Sequence, residues 1–98
     1  MTRDAASDFP QLEQVFSGYL HEDFAAEYGS PEAALQAFHD EASPAEWRRF
    51  KREATRLTAL TEVRDFAEVC DLVRRLGSRW APPSRKALAA LLASIRES

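Results

Sequence analysis

The sequence predicts an all-α protein, a compact single-domain bundle of four to five helices. Three observations carry this prediction. Residues that favour sheets are scarce, since the 98 residues include four Val, one Ile and four Thr, whereas the helix formers Ala, Leu, Glu and Arg are abundant. Apolar residues recur at helical spacing between Ser, Pro and Gly signals. At 11.1 kDa the chain has material for one core, and no repeat or low-complexity linker divides it.

The first helix is predicted to begin at Asp8-Phe9-Pro10, because Pro is tolerated in a first helical turn and Asp can accept free backbone amides there. Its apolar residues share one face: Leu12, Val15, Phe16, Tyr19 and Leu20. Residues 21–29 are acidic and lack periodicity, which predicts a loop or a poor helical turn that ends at Gly29. Residues 1–8 are expected to form a flexible lead before the domain of residues 9–98.

The next two helices have clear start signals. Ser30-Pro31-Glu32 predicts an N-cap, a Pro in the first turn and an acid at the positive end of a second helix, which ends near Ala42. The segment Ser43 to Glu46 has capping-box spacing and predicts the start of a third helix. That helix has an apolar stripe of Trp47, Phe50, Ala54 and Leu57. Its outer side is basic: Arg48, Arg49, Lys51, Arg52 and Arg56.

Two more helices are predicted in the last forty residues. Leu60-Thr61-Glu62 is expected to separate the third helix from a fourth, which would end at Gly77, a residue type typical of helix C-termini. The apolar stripe of the fourth helix is Val63, Phe66, Cys70 and Val73. Ser84 is expected to cap a last helix. The apolar stripe of that helix is Leu88, Leu91, Leu92 and Ile95.

Charge is distributed unevenly along the chain. The net charge is −3, but residues 1–46 hold ten acidic residues and one basic, whereas residues 47–98 hold twelve basic and six acidic. The two parts therefore carry −9 and +6. Such a separation steers charged partners, or it is neutralised by pairing between the two parts inside the fold, and the sequence leaves both alternatives open.

Several classes of function are disfavoured. No apolar run reaches the roughly 18–20 residues of a membrane span and no signal peptide is evident, so a cytoplasmic location is expected. Cys70 is the single cysteine and lies on an apolar stripe, where it would pack as a small hydrophobic residue. The His21-Glu22-Asp23 and His39-Asp40-Glu41 segments lack metal-ligand spacing. No catalytic constellation is recognised, so neither an enzyme nor a cofactor or metal is expected.

The basic side of the third helix offers one alternative, a small helical regulator that binds nucleic acid. Against it, Glu46 and Glu53 interrupt the basic residues, and the acidic part of the chain would repel a duplex. Structure can separate the alternatives. Contiguous acidic residues with a basic side used up by internal pairs would favour a module that binds a partner protein through its acidic residues, and a continuous exposed basic stripe would favour the regulator.

The segment of residues 9–24, FPQLEQVFSGYLHEDF, is followed by Ser30-Pro31-Glu32 and a helix with Phe38. It resembles the immunity proteins of contact-dependent growth inhibition systems, whose pattern is an aromatic-Pro start, Leu-x-x-Phe-x-Gly-Tyr-Phe-His-Gln-Asp-Trp and an acidic loop. The resemblance extends through Leu76-Gly77 to the aromatic-x-Pro of residues 80–82. The chain departs from the pattern at three positions, where Gln, Trp and Tyr are usual: Glu22, Phe24 and Trp80.

The resemblance implies a helical, cytoplasmic, non-enzymatic protein that binds and neutralises the toxin domain delivered by a neighbouring bacterium. In these systems the toxin is often a nuclease acting on tRNA, but the family does not identify the toxin or the oligomeric state. The motif residues Tyr19, His21 and Asp23 would then hold the fold, with Asp23 capping a following turn and His21 bonding a carbonyl oxygen. Toxin contacts would belong to the variable acidic residues around them.

Physical chemistry indicates which residues would contact such a toxin. A nuclease site is lined with Lys and Arg, so clustered carboxylates on an inhibitor speed association and add specificity. The densest acidic segment holds Glu22, Asp23 and Glu27, with Tyr28 as a candidate aromatic anchor. Asp40 and Glu41, at the end of the second helix, form a second candidate patch. These six residues are the predicted partner-binding site.

Overall fold

A computed structural model describes residues 8–96 as a bundle of six α-helices with short connections. The helices are α1 (Pro10–Tyr19), α2 (Phe24–Tyr28), α3 (Pro31–Glu41), α4 (Pro44–Val63), α5 (Phe66–Arg75) and α6 (Arg85–Arg96). The all-α prediction is confirmed, but the predicted number of four to five helices is one too low. The additional helix is α2, which forms in the acidic segment before Gly29 where a loop or a poor helical turn was expected. Apart from Asp8, the expected flexible lead lies outside the described residues.

The start signals read from the sequence act as expected. Ser30 Oγ accepts a hydrogen bond from the Ala33 N–H at 3.1 Å, and Ser84 Oγ accepts one from the Ala87 N–H at 3.0 Å. Ser43 forms a complete capping box, in which its Oγ accepts from the Glu46 N–H and Glu46 Oε1 accepts from the Ser43 N–H. Local capping therefore sets where α3, α4 and α6 begin.

The predicted break at Leu60-Thr61-Glu62 is wrong, because α4 continues to Val63 and α5 starts after Asp65. Thr61 lies inside α4, is buried, and donates its hydroxyl to the Thr58 carbonyl oxygen at 2.7 Å. Threonine can occupy a helix interior when its hydroxyl bonds back to the preceding turn. Val63, predicted to belong to the apolar stripe of the fourth helix, is 77% exposed.

Gly77 ends α5 as predicted. Its φ is +97°, its N–H donates to the Arg74 carbonyl oxygen, and the Ser78 N–H donates to the Val73 carbonyl oxygen. These are the two hydrogen bonds of a Schellman motif. The connector then crosses the end of α1, where the Arg79 N–H donates to the Leu20 carbonyl oxygen at 2.7 Å. This contact fixes the C-terminus of α1, from which the acidic segment departs.

The core lies where α4 packs against α1 and α6, and where α3 packs against α1 and α6 on the other side. Within the described residues its largest fully buried side chains come from four of the six helices (α1, α3, α4 and α6), from Phe9 before α1, and from the residues that directly follow α1 and α5: Phe9, Leu12, Phe16, Leu20, Leu35, Phe50, Leu57, Leu76, Leu88, Leu91 and Leu92. The predicted apolar face of the first helix is buried except for Tyr19, which is half-buried. On the last helix Leu88, Leu91 and Leu92 are buried as predicted, and the side chain of Ile95 lies outside the described residues. None of the helices described is long and apolar enough to cross a membrane.

A backbone N–H in the first turn of α1 donates its hydrogen bond to a side chain from a distant part of the sequence. The N-cap residue Phe9 makes no side-chain capping bond, and Glu53 of α4 takes that role. Glu53 is 6% exposed, and its Oε1 accepts a hydrogen bond from the Leu12 N–H at 2.9 Å across 41 positions of sequence. A carboxylate at this point also complements the positive end of the α1 dipole.

Candidate partner-binding surface

The acidic segment is held by the short helix α2, which lies against α3. Phe24 and Tyr28 are half-buried and pack against the core, whereas Glu22, Asp23 and Glu27 are exposed. Gly29 ends the helix with a φ of +89°, a conformation that side chains other than glycine rarely adopt. The sequence thus anchors the two aromatic residues and presents the three carboxylates to solvent.

His21 forms two hydrogen bonds within this segment. Its Nδ1 accepts a hydrogen bond from the Asp23 N–H at 3.1 Å, which leaves Nε2 to bond Glu27 Oε2 at 3.0 Å. Asp23 occupies the N-cap position of α2, but its side chain makes no capping bond. The expected capping role of the Asp23 side chain is therefore wrong, and the Asp23 carboxylate stays on the surface.

Tyr19 joins α2 to the end of α3. Its hydroxyl donates a hydrogen bond to Glu41 Oε2 at 2.5 Å, and its ring centroid lies 6.1 Å from that of Tyr28 and 5.8 Å from that of Phe38. The bond to Glu41, with a smaller contribution from burial, raises the pKa of Tyr19 to about 12. Burial, followed by the charge of Glu27, raises the pKa of Tyr28 as well.

We expect Tyr19 to titrate near pH 12 and Tyr28 earlier, as measured by NMR of ring-labelled tyrosine, because ionised Tyr19 would face the Glu41 carboxylate. The raised pKa means that the neutral phenol stabilises the fold. This stabilisation is complete below about pH 10, the unfolded value, and is lost as the pH rises to about 12. Glu41→Gln should lower the Tyr19 midpoint, while Glu32→Gln should leave it unchanged. A wild-type midpoint near 10 would contradict the Tyr19–Glu41 contact.

The structure connects part of the predicted site directly. Glu27 bonds His21, the His21 ring lies 6.4 Å from the Tyr28 ring, and Tyr28 reaches Glu41 through Tyr19. The other predicted residues flank this chain of contacts, Glu22 and Asp23 on the turn before α2 and Asp40 beside Glu41. Here the acidic surface means the six predicted residues: Glu22, Asp23, Glu27, Tyr28, Asp40 and Glu41. Five of them are exposed and Tyr28 is half-buried.

Two neighbours of the acidic surface were not predicted as site residues. Glu46 faces Glu41 across a crevice of about 370 Å³ whose lining includes Tyr19 and Gln14. The hydrogen bonds from Ser43 hold the pKa of Glu46 below its ordinary value, so its carboxylate remains charged. The capping box could have predicted the position of Glu46. A Glu that bonds the N-cap lies in the first turn of its helix, and the first turn of α4 follows directly on the end of α3, where Glu41 lies.

Trp47, predicted as a core residue, is half-buried at the same corner between α3 and α4. Its ring stacks on Phe50 at 5.4 Å and meets His39 edge-on at 4.4 Å. His39 also lies 3.7 Å from Asp40 Oδ1. The half-buried Trp47 ring therefore contacts His39, the neighbour of Asp40 in the acidic surface.

The outer side of α4 is a second charged surface. Here the basic face means the exposed residues Arg48, Lys51, Arg52 and Arg56. Arg49 leaves this set because its Nε donates to Gln11 Oε1 at 3.2 Å. No residue of the basic face forms an ion pair with any residue in the range 8–96, so the acidic surface and the basic face do not neutralise each other. The sequence left open whether the acidic residues are contiguous and whether the basic side of α4 is consumed by internal ion pairs. The acidic residues are partly contiguous, but the basic side is not consumed by ion pairs with the described residues.

Other chemistry is sparse in the described part of the chain. No group of three His, Cys, Asp or Glu residues there could hold a metal ion. Cys70 is half-buried rather than fully enclosed, and its Sγ lies 4.0 Å from the Pro82 carbonyl oxygen. Cys70 therefore packs at the edge of the core, beside the connector.

The chain matches a known protein family. The family model described as CdiI immunity protein matches residues 8–98. No curated protein and no solved structure matches the chain.

Proposed function

From the membership of this chain in the CdiI immunity protein family, whose model covers all but the first seven residues, we propose that the chain neutralises a nuclease toxin of contact-dependent growth inhibition. The family match is the observation that carries the proposal. Proteins of an immunity family act as inhibitors, so this chain would act by binding rather than by catalysis. The acidic surface would cover the toxin's nucleic-acid-binding site.

Electrostatics supports a nuclease as the toxin. A site that holds phosphate groups is lined with basic side chains, and exposed carboxylates attract it over distances near the Debye length of about 8 Å at physiological salt. Glu22 and Asp23 suit this role, because neither carboxylate is engaged by a hydrogen bond or ion pair with a described residue. Binding the toxin would then not break any contact that these two side chains make within the described fold.

The crevice beside the acidic surface fits a basic side chain of the toxin. Glu41 and Glu46 line it from two helices, together with Gln14 and Phe38. A Lys or Arg inserted there would meet two carboxylates that the fold already positions. Tyr28 and Trp47, which are both half-buried, are residue types that contribute strongly to binding at interfaces.

The test is titration calorimetry with the toxin domain expected to be encoded in the adjacent gene, at low and high salt. We expect tight binding that salt weakens, and we expect Glu22→Lys/Asp23→Lys to weaken it about 30-fold, or about 2 kcal/mol. Both side chains are exposed, so the fold should be unchanged. The matched control Glu62→Lys/Glu68→Lys makes the same change in charge on exposed positions outside the acidic surface and should bind within about threefold of wild type.

The outcomes separate the parts of the proposal. Equal weakening by both variants would contradict a localised acidic site. Tight binding that neither variant alters would retain the immunity function and reject the acidic surface as the interface. No binding to the adjacent toxin, together with no protection of cells that express it, would overturn the proposed function itself.

A further inference from the structure

The basic face of α4 is more continuous than its sequence indicates. Glu53 lies among these bases in the sequence and should interrupt them. In the structure Glu53 turns inward, is 6% exposed and bonds the Leu12 N–H. The single acidic residue between Arg48 and Arg56 is thereby removed from the outer surface, and an uninterrupted basic stripe remains.

The stripe is also regular. Arg48, Arg52 and Arg56 follow one another at four-residue intervals, so they form a row along the helix with steps of about 6 Å. Lys51 lies beside the row. Thr55, between them, donates its hydroxyl to the Lys51 carbonyl oxygen at 2.9 Å, so it adds no charge and does not obstruct the row.

The charge of this stripe is not compensated in the described part of the chain. Lys51 Nζ lies 5.8 Å from the Trp47 ring centroid, and the Arg56 guanidinium lies 5.2 Å from that of Phe9. Contacts with aromatic faces position a cation and leave its charge intact. Two carboxylates of α4 lie close to these bases in the sequence, and both are engaged elsewhere: Glu53 is buried and bonded to the Leu12 N–H, and Glu46 is half-buried at the start of the helix and bonded to Ser43.

We propose that the basic face binds the phosphate backbone of a nucleic acid, independently of base sequence. Three of its four bases are Arg, whose planar guanidinium forms paired hydrogen bonds with phosphate oxygens. A regular row of cations complements a repeating polyanion. A protein interface needs an apolar centre, and the exposed residues between Arg48 and Arg56 are charged residues and Thr55. The face also lacks Asn or Gln side chains that would read base edges.

This inference does not rest on the toxin-binding proposal, because the two surfaces lie on different helices. It would give the chain a second ligand, bound by residues that do not belong to the acidic surface. A nuclease inhibitor with such a face would hold the nucleic acid near the blocked enzyme rather than exclude it from the complex.

Fluorescence anisotropy with a labelled single-stranded RNA of about 20 nucleotides tests the proposal. Four phosphate contacts on a single strand predict a salt slope of about −2.8, so the affinity should fall about 50-fold between 50 and 200 mM salt. Arg48→Glu/Arg52→Glu should weaken binding at least tenfold at the lower salt and reduce the slope by about 1.4. The control Arg64→Glu/Arg79→Glu changes the charge equally at exposed positions outside the stripe and should retain the wild-type slope.

Three results would overturn the inference. These are no binding by the wild-type chain at the lower salt, equal losses in both variants, and displacement of the RNA by poly-glutamate at equal charge concentration. The last would show that the stripe takes an acidic protein segment rather than phosphate. Thermal melting should give the same Tm for both variants, because neither substitutes a buried side chain.

Discussion

Gly77→Ala is expected to lower the free energy of unfolding by about 3 kcal/mol and the Tm by about 15 °C. Two effects add at this position. The φ of +97° is strained for any residue with a Cβ, and an added Cβ would lie 2.7 Å from Ser17 Cβ and 3.0 Å from Ser17 Cα. The second contact involves the α1 backbone, which cannot move aside as a flexible side chain could. Urea and thermal melts measure the loss.

The chain offers matched controls that separate the two effects. Gly29 has a similar φ of +89°, but an added Cβ there would meet nothing within 4 Å, so Gly29→Ala should cost about 1–2 kcal/mol from strain alone. Gly18, beside Ser17 in α1, also has open space, and Gly18→Ala should stabilise the protein by about 0.5–1 kcal/mol. If Gly77→Ala cost no more than Gly29→Ala, the connector would not press against α1 as described.

Glu53→Ala is expected to lower the free energy of unfolding by about 3 kcal/mol, because it leaves the Leu12 N–H without its buried acceptor and removes a bond to a charged group. Glu53→Gln keeps an acceptor without the charge and should cost about half as much. Chemical denaturation of both variants gives the two values. The control Glu62→Ala removes an exposed carboxylate from the same helix and should change stability by less than about 0.5 kcal/mol.

Hydrogen exchange provides an independent measurement of the same contact. The Leu12 amide should exchange slowly in wild type and much faster in Glu53→Ala, while amides in α6 exchange at rates set by global stability. The ratio of the Leu12 exchange rate to the α6 exchange rates should therefore rise in Glu53→Ala. If this ratio were the same in the variant as in wild type, another group would have to cap α1. The role assigned to Glu53 would then be wrong.

Features that depend on neighbouring residues were predictable from the sequence. Ser30, Ser43 and Ser84 cap their helices and Gly77 ends α5, because each signal acts within one helical turn. The all-α class follows from the same local preferences. Phe16 and Leu88 are buried as their spacing predicts.

Features that depend on distant residues were not predictable. The sequence offers no sign that Glu53 turns inward, since its acceptor role depends on Leu12, 41 positions earlier. The break assigned to Thr61 is wrong because its hydroxyl finds a partner within the helix. The acidic surface comes from two separate segments of the sequence, and Tyr19, which belongs to neither, links them. Its ring contacts that of Tyr28, and its hydroxyl bonds Glu41, 22 positions later. Whether these residues contact a toxin stays a prediction.

None of the five residues of α2 is fully buried, although the helix holds the centre of the acidic surface. The core is built by the other five helices, so substitutions in α2 outside Phe24 and Tyr28 change little of what stabilises the protein. Most substitutions at exposed positions alter stability by less than about 0.5 kcal/mol. The exposed residues of this helix can therefore be exchanged while the protein stays folded, which is the freedom that the proposed contact between the acidic surface and a changing toxin would require.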